Sequence, residues 1–169
     1  MKEYYGIDLD ELFDNESDYS KEYRFDEVTD SDIERAEQTM GYKLSPSYKK
    51  LLKLQNGGII DDEKCDESWL SAIYGIGPSA DYCNGLEEMF DNWKNEWEYP
   101  DIGIPFGETE SAGHDMYYMD FRSVNADGEP RIVRIDNEMD NAVFFVADSL
   151  PEFLKLILEN KDIQETAIE

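Results

Sequence analysis

Between residues 115 and 147 the chain reads as three extended runs joined by two short turns, and no other feature restricts its possible folds as tightly. The runs are residues 115–122, 131–136 and 142–147, with turns around Asp127-Gly128 and across residues 137–141. Strands joined by such short connections pair antiparallel, because a parallel neighbour needs a crossover of a dozen or more residues. The C-terminal half is therefore expected to hold a β-meander. Its last run, Ala142 to Ala147, is continuously apolar, which predicts a central strand covered on both faces.

The sequence on either side has helical period. Thr29 can cap a helix that Asp32 completes as a capping box, Ile33, Ala36 and Met40 supply an apolar stripe, and Gly41 supplies the stop. Ser45 and Pro46 open a second helix carrying Tyr48, Leu51 and Leu52 up to Asn56-Gly57-Gly58. The short connection predicts a helical hairpin. Short strands are expected at Ile59-Ile60 and across residues 69–76. A middle helix carries Leu86, Met89, Phe90, Trp93 and Trp97 as one core-facing stripe, and Ser149, Pro151 and Glu152 open a last helix with Phe153, Leu154, Ile157 and Leu158. Helices, then hairpin-linked strands, then a helix make an α+β pattern. The expectation is a single α+β domain: a mainly antiparallel sheet packed by an N-terminal helical hairpin, a middle helix and a C-terminal helix. Residues 1–27 read as an acidic arm, either irregular or docked as a short helix through Leu9, Leu12 and Phe13. Residues 28–160 form the domain and 161–169 a tail, so removing the arm is expected to leave a folded domain.

Charge narrows the partners. Fifteen Lys and Arg stand against 41 Asp and Glu, a net −26, while 13% aromatic residues supply enough apolar material for a core. A surface this negative repels phosphate backbones and anionic headgroups and attracts basic proteins. No nucleic acid or membrane partner is expected. The N-terminus lacks a basic stretch followed by an apolar one, and the longest apolar run, Ala142 to Ala147, is too short to cross a bilayer. Cys65 and Cys83 have no metal-ligand or redox spacing. Together these predict a cytoplasmic protein with reduced thiols.

Catalytic chemistry finds little footing. His114 is the lone histidine, and neither Ser111 nor Cys83 sits in an activating context. His114, Asp115 and Asp120 are residue types that hold metals, but strand alternation sends neighbours His114 and Asp115 to opposite faces and sets His114 about 20 Å from Asp120 at ~3.3 Å per residue. Asp115 and Asp120 are better read as structural. Glu108 and Glu110, two apart, would share a strand face, a weak signal in so acidic a chain. Gly75-Ile76-Gly77-Pro78 lacks the lysine and the spacing of a phosphate loop. No catalytic, metal or cofactor residues are expected.

The string Leu44-Ser45-Pro46-Ser47-Tyr48-Lys49-Lys50-Leu51-Leu52, followed by Asn56-Gly57-Gly58, resembles the signature of the SUKH superfamily, with Ser45 interposed where the proline usually follows the leucine directly. Tyr74-Gly75-Ile76-Gly77, Ile104-Pro105-Phe106-Gly107, Gly113-His114-Asp115-Met116, Asp120-Phe121-Arg122, Gly128-Glu129-Pro130-Arg131-Ile132-Val133 and Ala147-Asp148-Ser149-Leu150-Pro151-Glu152-Phe153-Leu154 follow in that superfamily's order. The resemblance runs over residues 32–158. It implies one α+β domain without enzymatic activity. Bacterial members are mostly immunity proteins that neutralise a toxin domain encoded beside them, often a nuclease; others, such as the fungal cell-wall assembly regulators, are adaptors. The expected function is an immunity protein that binds a cognate, basic, nuclease-type toxin, as a monomer or weak homodimer; an intracellular adaptor or regulator without a toxin partner is the alternative. The densest acidic cluster outside the arm, Asp61, Asp62, Glu63, Asp66 and Glu67, is the expected contact surface.

Overall fold

The structure is a computed structural model that describes residues 1–65, 68–78 and 85–169. Two short strands, β1 (Glu3–Tyr4) and β2 (Ile7–Asp8), open the chain as a hairpin, followed by single-turn helices α1 (Leu9–Leu12) and α2 (Asp18–Lys21). Helices α3 (Asp30–Met40) and α4 (Pro46–Leu54) come next, then β3 (Gly58–Ile59), the short helix α5 (Asp62–Cys65) and β4 (Leu70–Ile73). Helix α6 (Leu86–Asp91) precedes β5 (Gly103–Pro105), β6 (Gly107–Thr109), β7 (Asp115–Val124), β8 (Pro130–Asp136) and β9 (Ala142–Ala147). Helix α7 (Leu150–Leu158) and a C-terminal strand β10 (Thr166–Ile168) finish the chain. Among the described residues no helix is long and apolar enough to cross a membrane.

The helix ends form where the sequence places them. Thr29 Oγ1 accepts from the Asp32 amide at 3.1 Å while Thr29 N donates back to Asp32 Oδ2 at 2.9 Å, and Gly41 closes α3 at φ 78°, a conformation that costs a residue without a Cβ nothing. Ser45 and Ser149 cap α4 and α7 by accepting from the Tyr48 and Glu152 amides, and the return bond of a capping box is formed only at Thr29 among these three caps. Packing, however, is not organised around a helical hairpin. Helix α3 leans on α6, and α4 on α7.

Two antiparallel sheets share one strand passage. The five-stranded sheet has the order β10-β9-β8-β7-β5 and the three-stranded sheet the order β3-β4-β6. The chain leaves β5 at Pro105 and enters β6 at Gly107, so it changes sheet at Phe106, which is fully buried. The meander β7-β8-β9 is present, with Met119 opposite Ile132 and Arg134 opposite Phe144. The doubly covered strands are β7 and β8, where Met116, Tyr117, Tyr118, Met119, Ile132, Val133 and Ile135 are all buried. This corrects the expectation for β9. It lies second from the edge, and only Val146 and Ala147 in it are buried. An apolar run reports β preference but not which faces are covered. Here the Arg134 guanidinium lies 4.6 Å over the Phe144 ring and β10 takes the outer edge.

The N-terminal segment is part of the core. Tyr4, Leu9 and Leu12 are fully buried and Phe13 nearly so. The Tyr4 hydroxyl donates to Ser47 O at 3.1 Å, and Asp61 N donates to Leu12 O at 2.9 Å. Phe25 packs so closely on Gly75 that a Cβ there would lie 2.6 Å from its ring. Asn56 ties these parts together, donating to Asp26 O and Ile76 O and accepting from Ile76 N. Residues 1–27 thus contribute several buried side chains to the core. The middle helix also departs from its expected form. After Asp91 it widens into a π turn over Asn92–Glu96, closed by Trp97 N on Asn92 O. The extra residue turns Trp97 off the stripe, leaving it 38% exposed while Trp93 stays buried.

Candidate functional site

The polar residues that stand out in the sequence sort into structural and surface groups. Asp120 is fully buried and accepts from Arg122 Nε at 2.9 Å and Nη2 at 3.0 Å and from Arg131 Nε at 2.9 Å. Burial pushes its pKa up, but the hydrogen bonds from Arg122 and Arg131 outweigh that and hold the carboxyl below the usual range. Asp115 lies 3.5 Å from Arg134; there burial dominates and its pKa is raised. Both carboxylates brace the sheet. His114 is exposed at the turn before β7, with Nδ1 3.3 Å from Glu138. Among the described residues no group of three or more His, Cys, Asp or Glu could hold a metal ion. Cys65 is buried and is in no disulfide among the described residues; Cys83 lies outside the described residues.

The acidic loop forms a small, well-defined corner. Asp61 is fixed through its amide to Leu12 O, and its Oδ1 accepts from the Glu63 amide at 3.0 Å, starting α5. Asp62 and Glu63 project into solvent from the first turn of α5. Among the described residues no Lys or Arg forms an ion pair with Asp61, Asp62 or Glu63. Asp66 and Glu67 lie outside the described residues.

Beside α5 a groove of about 340 Å³ runs between α2 and the three-stranded sheet. Tyr19 and Tyr23 form one wall, their rings 5.1 Å apart and their hydroxyls hydrogen-bonded at 2.9 Å. Asp62, Glu108 and Glu110 bring three carboxylates to it, and among the described residues its lining holds no lysine or arginine. Thr109, the last residue of β6, turns inward, buried and donating to Asp115 O at 2.8 Å, while Glu108 before it and Glu110 just after the strand line the groove. Desolvation raises the Glu108 pKa, offset in part by a hydrogen bond from the Tyr74 hydroxyl. Trp69 is tied by its backbone to two residues of the lining. Its backbone joins Cys65 O (2.8 Å) to Glu110 N (2.9 Å), its φ is 61°, and its side chain is 54% exposed. The cations collect elsewhere, at a groove of about 510 Å³ lined by Lys2, Lys21, Arg24 and Lys53.

This arrangement presents negative charge and aromatic surface, which suits contact with a cationic group. The structure brings Asp62 together with Glu108 and Glu110, which the sequence could not associate. Tyr19, Tyr23 and exposed Trp69 were missed: the tyrosines lay in a segment with no assignable structure, and Trp69 read as the first residue of a strand. The i, i+4 spacing of the two tyrosines is the one signal that pointed to a helix face.

No curated protein sequence matches the chain. Residues 27–156 of the 169 match the model of the SMI1 / KNR4 family (SUKH-1), in agreement with the motif order and with an Asn56-Gly57-Gly58 turn that serves as scaffold. The chain belongs to the SMI1 / KNR4 family (SUKH-1), whose members are non-catalytic immunity and adaptor proteins.

Proposed function

We propose that this protein is an immunity protein that binds and neutralises a cognate toxin, a basic nuclease-type domain, in the cytoplasm, as a monomer or weak homodimer. The observation that carries the reading is charge segregation: carboxylates without ion-pair partners gather at α5 and β6 beside exposed aromatics, on a chain of net −26. Such a face is complementary to the basic cleft with which a nuclease holds phosphates, and carboxylates can take the place of those phosphates. The contact surface on this reading includes Asp61, Asp62, Glu63, Asp66 and Glu67, and neutralisation is by occlusion. The test is co-expression with the product of the adjacent gene. Rescue of growth together with recovery of a stable complex is the expected result. A neighbour that is not toxic, with several non-toxic partners recovered instead, would replace the immunity reading with that of an adaptor.

A further inference from the structure

A basic partner can be met by diffuse attraction alone or by a seat for a particular side chain, and the groove beside α5 has the form of a seat. Its wall is a tyrosine pair whose mutual hydroxyl contact holds the rings in place, and Tyr19 is 59% exposed. Among the described residues none of Asp62, Glu108 and Glu110 has an ion pair with a cation of this chain, and Glu108 is already partly desolvated on β6. Trp69, whose backbone bonds to Cys65 and Glu110 of the lining, adds an exposed aromatic side chain in the same part of the chain. Tyrosine and tryptophan are the residues that anchor protein interfaces, because they cover much apolar area at low entropic cost.

We infer that this groove receives an arginine side chain of the partner protein, the guanidinium lying against the Tyr19–Tyr23 wall and forking onto the carboxylates of Glu108 and Glu110. The inference rests on the proposed basic partner and adds the residue it presents. Arginine fits where lysine does not. A guanidinium is planar, stacks on aromatic faces and bonds carboxylates in pairs, and it sheds water more readily than an ammonium. A lysine would meet the negative charge and the ring faces only as a compact, strongly hydrated point charge, without planar stacking or paired hydrogen bonds to the carboxylates.

The experiment measures binding of fluorescent nona-arginine and nona-lysine by anisotropy, at low and physiological salt. The proteins are wild type, Tyr19→Ala, Glu110→Gln and, as a control that removes one exposed charge elsewhere, Glu138→Gln. Tyr19, Glu110 and Glu138 are all exposed, and thermal melting verifies that each variant is folded. Wild type is expected to prefer nona-arginine by about two- to fivefold. Tyr19→Ala and Glu110→Gln remove that preference, and Glu138→Gln keeps it. Equal binding of the two peptides, or a preference that survives both groove variants, overturns the seat and leaves the basic-partner reading standing. Absence of binding to either peptide at low salt overturns both.

Discussion

Leu12 lies in a segment whose sequence reads as an appendage, yet its side chain is fully buried in the core. Leu12→Ala removes three carbons from a site where α1 packs on α7. At ~0.8 kcal/mol per buried methylene the lost transfer energy is about 2.5 kcal/mol. The backbone around the site is pinned by Asp61 N on Leu12 O and Phe13 N on Leu9 O, so the void can collapse only in part. The cavity left behind then brings the total to about 3–5 kcal/mol. For a chain of this length each kcal/mol shifts the melting temperature by ~2–4 °C, so a fall of about 10 °C is expected. Urea unfolding followed by tryptophan fluorescence measures the free energy directly. A midpoint unchanged from wild type would refute the placement of this segment in the core, as would a cooperative transition of undiminished stability after deletion of residues 1–27.

Two substitutions probe the carboxylates with opposite signs. Asp120→Asn leaves Arg122 and Arg131 without their shared counter-charge and is expected to cost about 3 kcal/mol at neutral pH, the low end for a buried pair because both arginines keep some exposure. Since the Asp120 pKa is lowered on folding, its contribution is present above the unfolded carboxylate value and is lost as pH falls through the folded one. The gap between wild type and Asp120→Asn should therefore narrow in acid; a gap independent of pH would contradict the assignment. Glu108→Gln should act the other way. Its raised pKa means that the ionised form is disfavoured by folding, so the variant is more stable than wild type at neutral pH, and the advantage disappears as pH drops below the folded pKa of Glu108. Chemical denaturation between about pH 2 and 8 reads both, the Asp120 window lying below the unfolded carboxylate value and the Glu108 window above it; a destabilised Glu108→Gln at neutral pH would show that this carboxylate is structural.

How much was legible in the sequence depended on how local the cause was. Helix caps at Thr29, Ser45 and Ser149, and the turns of the meander, follow from residues within a few positions, and the structure forms them as expected. Burial of the arm depends on Leu9, Leu12 and Phe13 meeting α7 and Ile60, contacts that no spacing rule contains. The cover of β9 depends on Arg134 and on β10, a strand in what read as a tail. The π turn at Asn92–Glu96 shifts the stripe by a residue that period counting cannot foresee. At the candidate site the sequence supplied Asp61, Asp62 and Glu63 as a cluster. It could not supply the groove, because Tyr19, Asp62 and Glu108 come from three separate parts of the chain.

The central claim, that an acidic face captures a basic partner, is tested most directly by the association rate with the cognate protein across a salt series. Raising ionic strength from about 0.01 M to 0.15 M shortens the Debye length from ~30 Å to ~8 Å and removes long-range steering. Stopped-flow mixing should show the on-rate falling by an order of magnitude or more while the off-rate, set by short-range packing, changes little. Replacing Asp61, Asp62, Glu63, Asp66 and Glu67 by Asn or Gln should slow association at low salt and flatten its dependence on salt. An on-rate indifferent to salt would contradict the account, and a steep dependence untouched by these substitutions would place the contact on another face of the molecule.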